Sequence, residues 1–157
     1  MSAHQEVLNQ FPSLYCCVDA SWTNPDSKAG IGWILTDSKQ KHIIKGSSSI
    51  EPTNSALEAE AIALKEAILQ MKRLQYKDVT FCGDASTLYN YLAKASRQRN
   101  PSQAGHLDIQ GHLEDILTLA HTSYKFRLIK RDDNVLADAL AKQARLKESP
   151  YAVTWIC

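Results

Sequence analysis

LYCCVDASWTNPDSKAGIGWILTDSKQKHIIKGSS, residues 14–48, is the stretch whose reading decides the fold. Its first apolar run, 14–22, reads as a strand and stops at Asn24, Pro25 and Asp26, which are turn formers. A second strand follows over 29–36, where Gly30 and Gly32 permit another backbone to approach closely. Asp37 and Ser38 make a short turn into a third strand at 42–48. Strands joined by such short links pair antiparallel, so the stretch predicts a three-stranded meander.

Downstream the period changes. Leu57, Ala61, Leu64, Ile68 and Met71 recur at helical spacing and predict a helix over 55–73. A short strand is expected at 78–82, helices at 85–95 and 107–121, a strand at 124–129 and a last helix at 134–147. Between the middle helices, 94–105 is polar and contains Asn100–Pro101, hence a loop. The order βββ-α-β-α-α-β-α predicts an α/β fold: a five-stranded mixed sheet, meander plus parallel strands, flanked by helices. One domain over 14–147 is expected, with an N-terminal extension at 1–13 and a C-terminal tail at 148–157.

A chain of 157 residues, 44% hydrophobic, suits one domain with a proper core. Its apolar runs are strand-sized, and residues 1–10 lack the apolar centre of a signal peptide. An intracellular monomer, in cytoplasm or nucleus and without a membrane partner, is the expectation. Cys16 and Cys17 are adjacent, Cys82 sits in an apolar run and Cys157 ends the sequence. No zinc-ligand spacing results, so reduced, buried thiols are expected. A net charge of +1 does not by itself point to nucleic acid. Basic residues do cluster, at Lys94, Arg97 and Arg99, at Lys125, Arg127, Lys130 and Arg131, and at Lys142, Arg145 and Lys147. Such clusters read equally as solvated faces.

Four acids stand in informative places. Asp19 interrupts the first strand, where a lone buried charge is costly unless paired or metal-bound; capping a turn is its plainer role. Asp84 follows a short strand and precedes a helix, at the sheet edge where α/β sites collect, or else as an N-cap. Glu60 borders the apolar stripe of the first helix, and a snorkelling glutamate would look the same. Asp138 opens the last helix beside Ala137, Ala141 and Ala144, where the macrodipole alone favours an acid. Taken together, the four suit hard divalent ions, which take oxygen ligands and serve phosphodiester hydrolysis in pairs.

The stretches VDASW (18–22), AGIGWIL (29–35), EAEAIALKEAI (58–68), FCGDASTLYNYL (81–92) and RDDNVLADALAKQA (131–144) resemble type 1 ribonuclease H. The likeness is to the plant-type or archaeal-like subgroup, including domains of plant non-LTR (LINE-type) retrotransposons, and it spans about 14–146. It implies an endoribonuclease cutting the RNA strand of RNA–DNA hybrids with two Mg2+ ions, for which Mn2+ substitutes. By the same resemblance Asp19 bridges both ions, Asp138 joins it on the ion holding the attacking water, and Glu60 and Asp84 hold the other. Glu60 is preferred to Glu58 because Ala63, Leu64, Ala67 and Ile68 then fall on the family's small and aliphatic positions.

One departure concerns the loop before Asp138. Many type 1 enzymes carry a histidine there, whereas this chain has Arg131, as the resembled subgroup does. Arginine aids product departure but is no general acid–base at neutral pH. A basic protrusion for hybrid binding is not evident, which implies low intrinsic affinity and reliance on a fused or associated reverse transcriptase. Expected contacts to RNA 2′-hydroxyls are Ala20 and Ser21, Asn54 and Ser55, and Ala85 and Ser86, all beside the acids. Ordinary turn and N-cap chemistry accounts for Ser55 and Ser86 as well. Two other functions fit the same residues: a catalytically weak hybrid- or RNA-binding module of this fold, and a DNA-directed nuclease of the superfamily.

Overall fold

A computed structural model of the chain describes residues 13–98, 109–120 and 123–156, with side chains omitted at 95–98. Residues 1–12 of the N-terminal extension, 99–105 of the expected 94–105 loop (Arg99 among them), Arg97's side chain and Cys157 lie outside the described residues, while 94–98 of that loop are helical instead.

The meander forms as β1 (Leu14–Ser21), β2 (Ala29–Asp37) and β3 (His42–Ile50). β1 pairs antiparallel with β2, placing Asp19 opposite Gly32, and β2 pairs antiparallel with β3. Helix α1 (Ala56–Arg73) follows, then β4 (Val79–Gly83), α2 (Ser86–Gln98), α3 (Gln110–Leu119), β5 (Lys125–Leu128) and α4 (Val135–Lys147). β4 lies parallel to β1 on its free side, and β5 parallel to β4, each reached by a crossover that contains helices.

The expected five-stranded count is corrected by a sixth strand, β6 (Ala152–Trp155), within the segment expected as a tail. The sheet order is β5-β4-β1-β2-β3-β6. After α4 the chain reverses through Glu148, which takes a left-handed conformation at φ 46° and ψ 45°. Ser49 N–H then bonds Ser149 O at 2.8 Å and Ile156 N–H bonds Ile43 O at 2.8 Å, laying β6 antiparallel along β3. The run Val153-Thr154-Trp155 carries β propensity, yet all of β6 is exposed. No buried face sets its pattern, and backbone pairing to β3 defines the strand.

Side-chain alternation on β1 sorts the two faces. Cys16 and Val18 point into the main core with Phe81, Leu64, Ile68, Tyr89 and Leu92, under α1, α2 and α3. Cys17 and Asp19 face the opposite side, where α4 packs on β1, β2 and β3. Glycine makes that packing possible. A Cβ on Gly32 would stand 2.7 Å from Ala141 N and 2.9 Å from Ala137 O, and one on Gly30 2.7 Å from Arg145 N. Two bare strand positions and the Ala137–Ala141–Ala144 stripe thus let helix and sheet backbones meet. Among the described cysteines, Cys16 and Cys82 are buried free thiols and Cys17 a half-buried one. No helix among the described residues is long and apolar enough to cross a membrane.

Candidate active site

Asp19 lies near the carboxyl end of the central strand and is 4% exposed. Asp84 follows the last residue of the neighbouring parallel strand, so the two carboxylates arrive side by side. Glu60 reaches the same point from the first turns of α1. A carboxylate oxygen from each of Asp19, Glu60 and Asp84 lies within 4.8 Å of the other two. Asp138, on α4, faces the same cleft of about 290 Å³, lined by Asp19, Ala20, Glu60, Asp84, Arg131 and Asp138. All four acids singled out in the sequence, and Arg131, meet there.

Local chemistry separates Glu60 from Glu58. Ser55 is the N-cap of α1, its Oγ accepting from Glu58 N–H at 3.1 Å, while Glu58 Oε1 accepts from Asn54 N–H at 2.9 Å. This is a near relative of the capping box, and it commits Glu58 to the helix start. Glu58 Oε2 also lies 3.3 Å from His112 Nε2 on α3. Glu60 instead turns inward: its Oε1 accepts from Ala20 N–H at 3.1 Å, and its Oε2 is buried with no hydrogen-bond donor among the described residues.

The electrostatics follow from this crowding. Burial raises Asp19 to about 7; the Asp84 and Asp138 charges push the same way, against hydrogen bonds from Glu60 and the Ala20 N–H. Glu60 is held well above the ordinary carboxylate range by burial, by the Asp19 charge and by the hydrogen bond the two share. Without a cation, therefore, full ionisation of both Asp19 and Glu60 is disfavoured, because adjacent buried carboxylates repel each other. An oxygen-only donor set with this accumulated charge fits a hard divalent cation. Asp138 is more open and pairs with Lys142, one helical turn on, at 3.8 Å.

Sequence reasoning missed Asn134 as a site residue. It is 1% exposed and its Nδ2 donates to Val18 O at 3.0 Å, while its own carbonyl accepts from Asp138 N–H at 3.1 Å. One side chain so ties the start of α4 to the backbone beside Asp19. In the sequence it stands just before a helix and looks like an ordinary cap, although its side chain caps nothing. Arg131 begins a short 3-10 turn, Arg131–Asp133, and is exposed at the cleft rim.

The small groups expected at the RNA strand divide into two sets. Ala20 lines the cleft, and Asn54 and Ser86 are exposed. The Ser21 hydroxyl, by contrast, accepts from Arg145 Nε at 2.8 Å, and Ser55 is engaged as the N-cap. Ala85 is half-buried, and its carbonyl accepts the Tyr89 N–H at 3.0 Å.

No curated protein matches the chain in sequence. Solved structures do match in fold. The ribonuclease H1 of the halophilic archaeon Halobacterium salinarum is 21% identical with a TM-score of 0.68, over 87% of this chain and 99% of that one. LC11-RNase H1, isolated from compost by a metagenomic approach, is 20% identical in its complex with an RNA/DNA hybrid. It aligns at a TM-score of 0.71 over 86% of this chain and 98% of its own. The foamy viral protease–reverse transcriptase, also in complex with an RNA/DNA hybrid, is 16% identical at a TM-score of 0.66, covering 87% of this chain and 20% of that one. A family model described as reverse transcriptase-like matches residues 17–144, from β1 to the last turn of α4. By that match and the shared architecture, this chain belongs to the reverse transcriptase-like family and has the fold of type 1 ribonuclease H.

Proposed function

We propose that the chain is a metal-dependent endoribonuclease that hydrolyses the RNA strand of RNA–DNA hybrids. The observation that carries this reading is the convergence of Asp19, Glu60, Asp84 and Asp138, from two strands and two helices, on one cleft with Arg131 at its rim. Asp19, Glu60 and Asp84 would hold one Mg2+ and Asp19 with Asp138 a second; Mn2+ has the same preference for oxygen. Bound there, such ions activate water and stabilise the leaving oxygen of a phosphodiester.

The chain's own residues prepare that chemistry. Ala20 N–H holds Glu60 toward Asp19, and Asn134 fixes α4 so that Asp138 faces the cleft. Arg131 supplies a permanent positive charge where a phosphate would enter or leave, without taking part in proton transfer. Asn54 and Ser86 offer small polar side chains, and Ala20 a small apolar one, to a shallow minor groove carrying 2′-hydroxyls on one strand. A fused or associated reverse transcriptase would supply the hybrid affinity that a net charge of +1 does not.

The test is cleavage of a matched hybrid, double-stranded DNA and double-stranded RNA in Mg2+ and in Mn2+. Selective cutting of the hybrid's RNA strand, requiring several consecutive ribonucleotides and weakening with salt, is expected. Equal cleavage of an all-deoxy strand would make the protein a DNA-directed nuclease. Binding without cleavage in either metal would make it a hybrid-binding module.

A further inference from the structure

Behind the acid cluster stands a residue that the chemistry above does not use. Tyr89, in the first turn of α2, is 1% exposed, and its hydroxyl is buried with no hydrogen-bond partner among the described residues. The ring occupies space left by a missing side chain. A Cβ on Gly83 would overlap the Tyr89 ring and stand 2.5 Å from its hydroxyl oxygen. Gly83 ends β4 and directly precedes Asp84, so the phenol tip meets the backbone at the edge of the core that borders the acid cluster. Within the acid cluster itself, Glu60 Oε2 is the side-chain oxygen buried without a partner among the described residues.

Two orphaned groups of complementary type, a donor and an acceptor, thus lie on the inner side of one site. Buried polar groups are rarely left this way, and a bridging water commonly satisfies two such groups that do not touch directly. Electrostatics agree with the placement. Burial raises the Tyr89 phenol well above its usual range, and among the charges that add to this Glu60 acts most strongly.

We propose that Tyr89 is a positioning residue for Glu60, its hydroxyl donating through one bridging water to Glu60 Oε2. Tyr89 makes no contact with substrate or reacting atoms. It restricts the glutamate rotamer from behind, so that the carboxylate meets a cation already oriented by Ala20 N–H on one oxygen and by Tyr89 on the other. Gly83 belongs to the same device, since any larger residue there would displace the ring. The proposal rests on the reading of Glu60 as a metal ligand.

The experiment is a double-mutant cycle on the metal-free protein, with Tyr89→Phe, Glu60→Ala and the double variant followed by thermal melting, together with Mg2+ titration of wild type and Tyr89→Phe. Phenylalanine keeps the ring in the Gly83 space and removes only the hydroxyl. The melting shifts should be non-additive by about 2–4 °C, the size of one hydrogen bond in a chain of this length. The Mg2+ concentration giving half-maximal binding, by calorimetry, should rise roughly 3- to 10-fold, and that giving half-maximal hybrid cleavage should rise with it. The cleavage rate at saturating Mg2+ should fall by a smaller factor. Additive melting shifts overturn the proposal whatever the metal data show. A non-additive cycle with an unchanged Mg2+ midpoint also overturns it, leaving the hydroxyl a structural partner of Glu60 with no part in orienting it for a cation. If wild type binds no Mg2+ and cleaves nothing, the nuclease reading fails instead, and a non-additive cycle would still show the hydroxyl joined to Glu60.

Discussion

Replacing Asp19 with Asn should stabilise the metal-free protein while removing its activity, and the size of the effect follows from the site. Asp19 is raised from its ordinary value of 3.8 to about 7, first by burial and further by the Asp84 and Asp138 charges. A carboxylate raised in the folded state favours the folded form while protonated. Its stabilising contribution is therefore whole below about pH 4 and is lost as pH rises through about 7. At about 1.36 kcal/mol for each tenfold change in acidity, the rise from 3.8 to about 7 costs the ionised form about 4 kcal/mol, and water in the open cleft screens about half of this, leaving about 2 kcal/mol of destabilisation at pH 8. Asparagine keeps the shape without the charge. Asp19→Asn should then melt about 4–8 °C above wild type at pH 8 in a chelator, with the gain shrinking toward pH 4. Hybrid cleavage should fall by more than about a hundredfold, beyond what loss of an outer partner of a metal ligand costs. Melts by circular dichroism at both pH values and steady-state cleavage decide the matter. An Asp19→Asn protein that melts lower at pH 8, or that still cleaves, would refute the argument.

Mg2+ at a hundred times its dissociation constant should stabilise wild type by about 2.7 kcal/mol, and this shift should vanish in Asp19→Asn; thermal melts across a Mg2+ series measure both. Arg131→Ala should lower the multiple-turnover rate by roughly tenfold, as loss of one charge-assisted contact would, with the Mg2+ midpoint little changed; comparison of single- and multiple-turnover rates separates the two. Gly32→Ala should cost about 1–3 kcal/mol by forcing α4 off the sheet, and hybrid cleavage measured well below its melting point should fall as Asp138 moves away from Asp19.

Much of the fold was legible in the chain, because the information is local. The meander shows in the apolar runs and turn formers of residues 14–48, and α1 in the spacing of Leu57, Ala61, Leu64 and Ile68. The place of each acid along that order was legible for the same reason. β6 was not, since a fully exposed strand has no alternating pattern and is defined only by its partner β3. Ser21 reads as a free hydroxyl in sequence, yet its partner Arg145 lies 124 positions away.

The sequence by itself therefore determined the order of strands and helices from β1 to α4 and the place of Asp19, Glu60, Asp84 and Asp138 along it. Period and turn chemistry depend on residues only a few positions apart, so no distant partner is needed to read them. Tertiary structure alone decided that the four acids share a cleft and that Glu58 serves the helix cap while Glu60 faces Asp19. It alone decided that Asn134 bridges to Val18 and that Tyr89 fills the space beside Gly83. Those outcomes depend on parallel β1–β4 pairing and on the close approach of α4 to Gly30 and Gly32. They are through-space relations between segments that carry no local mark of one another.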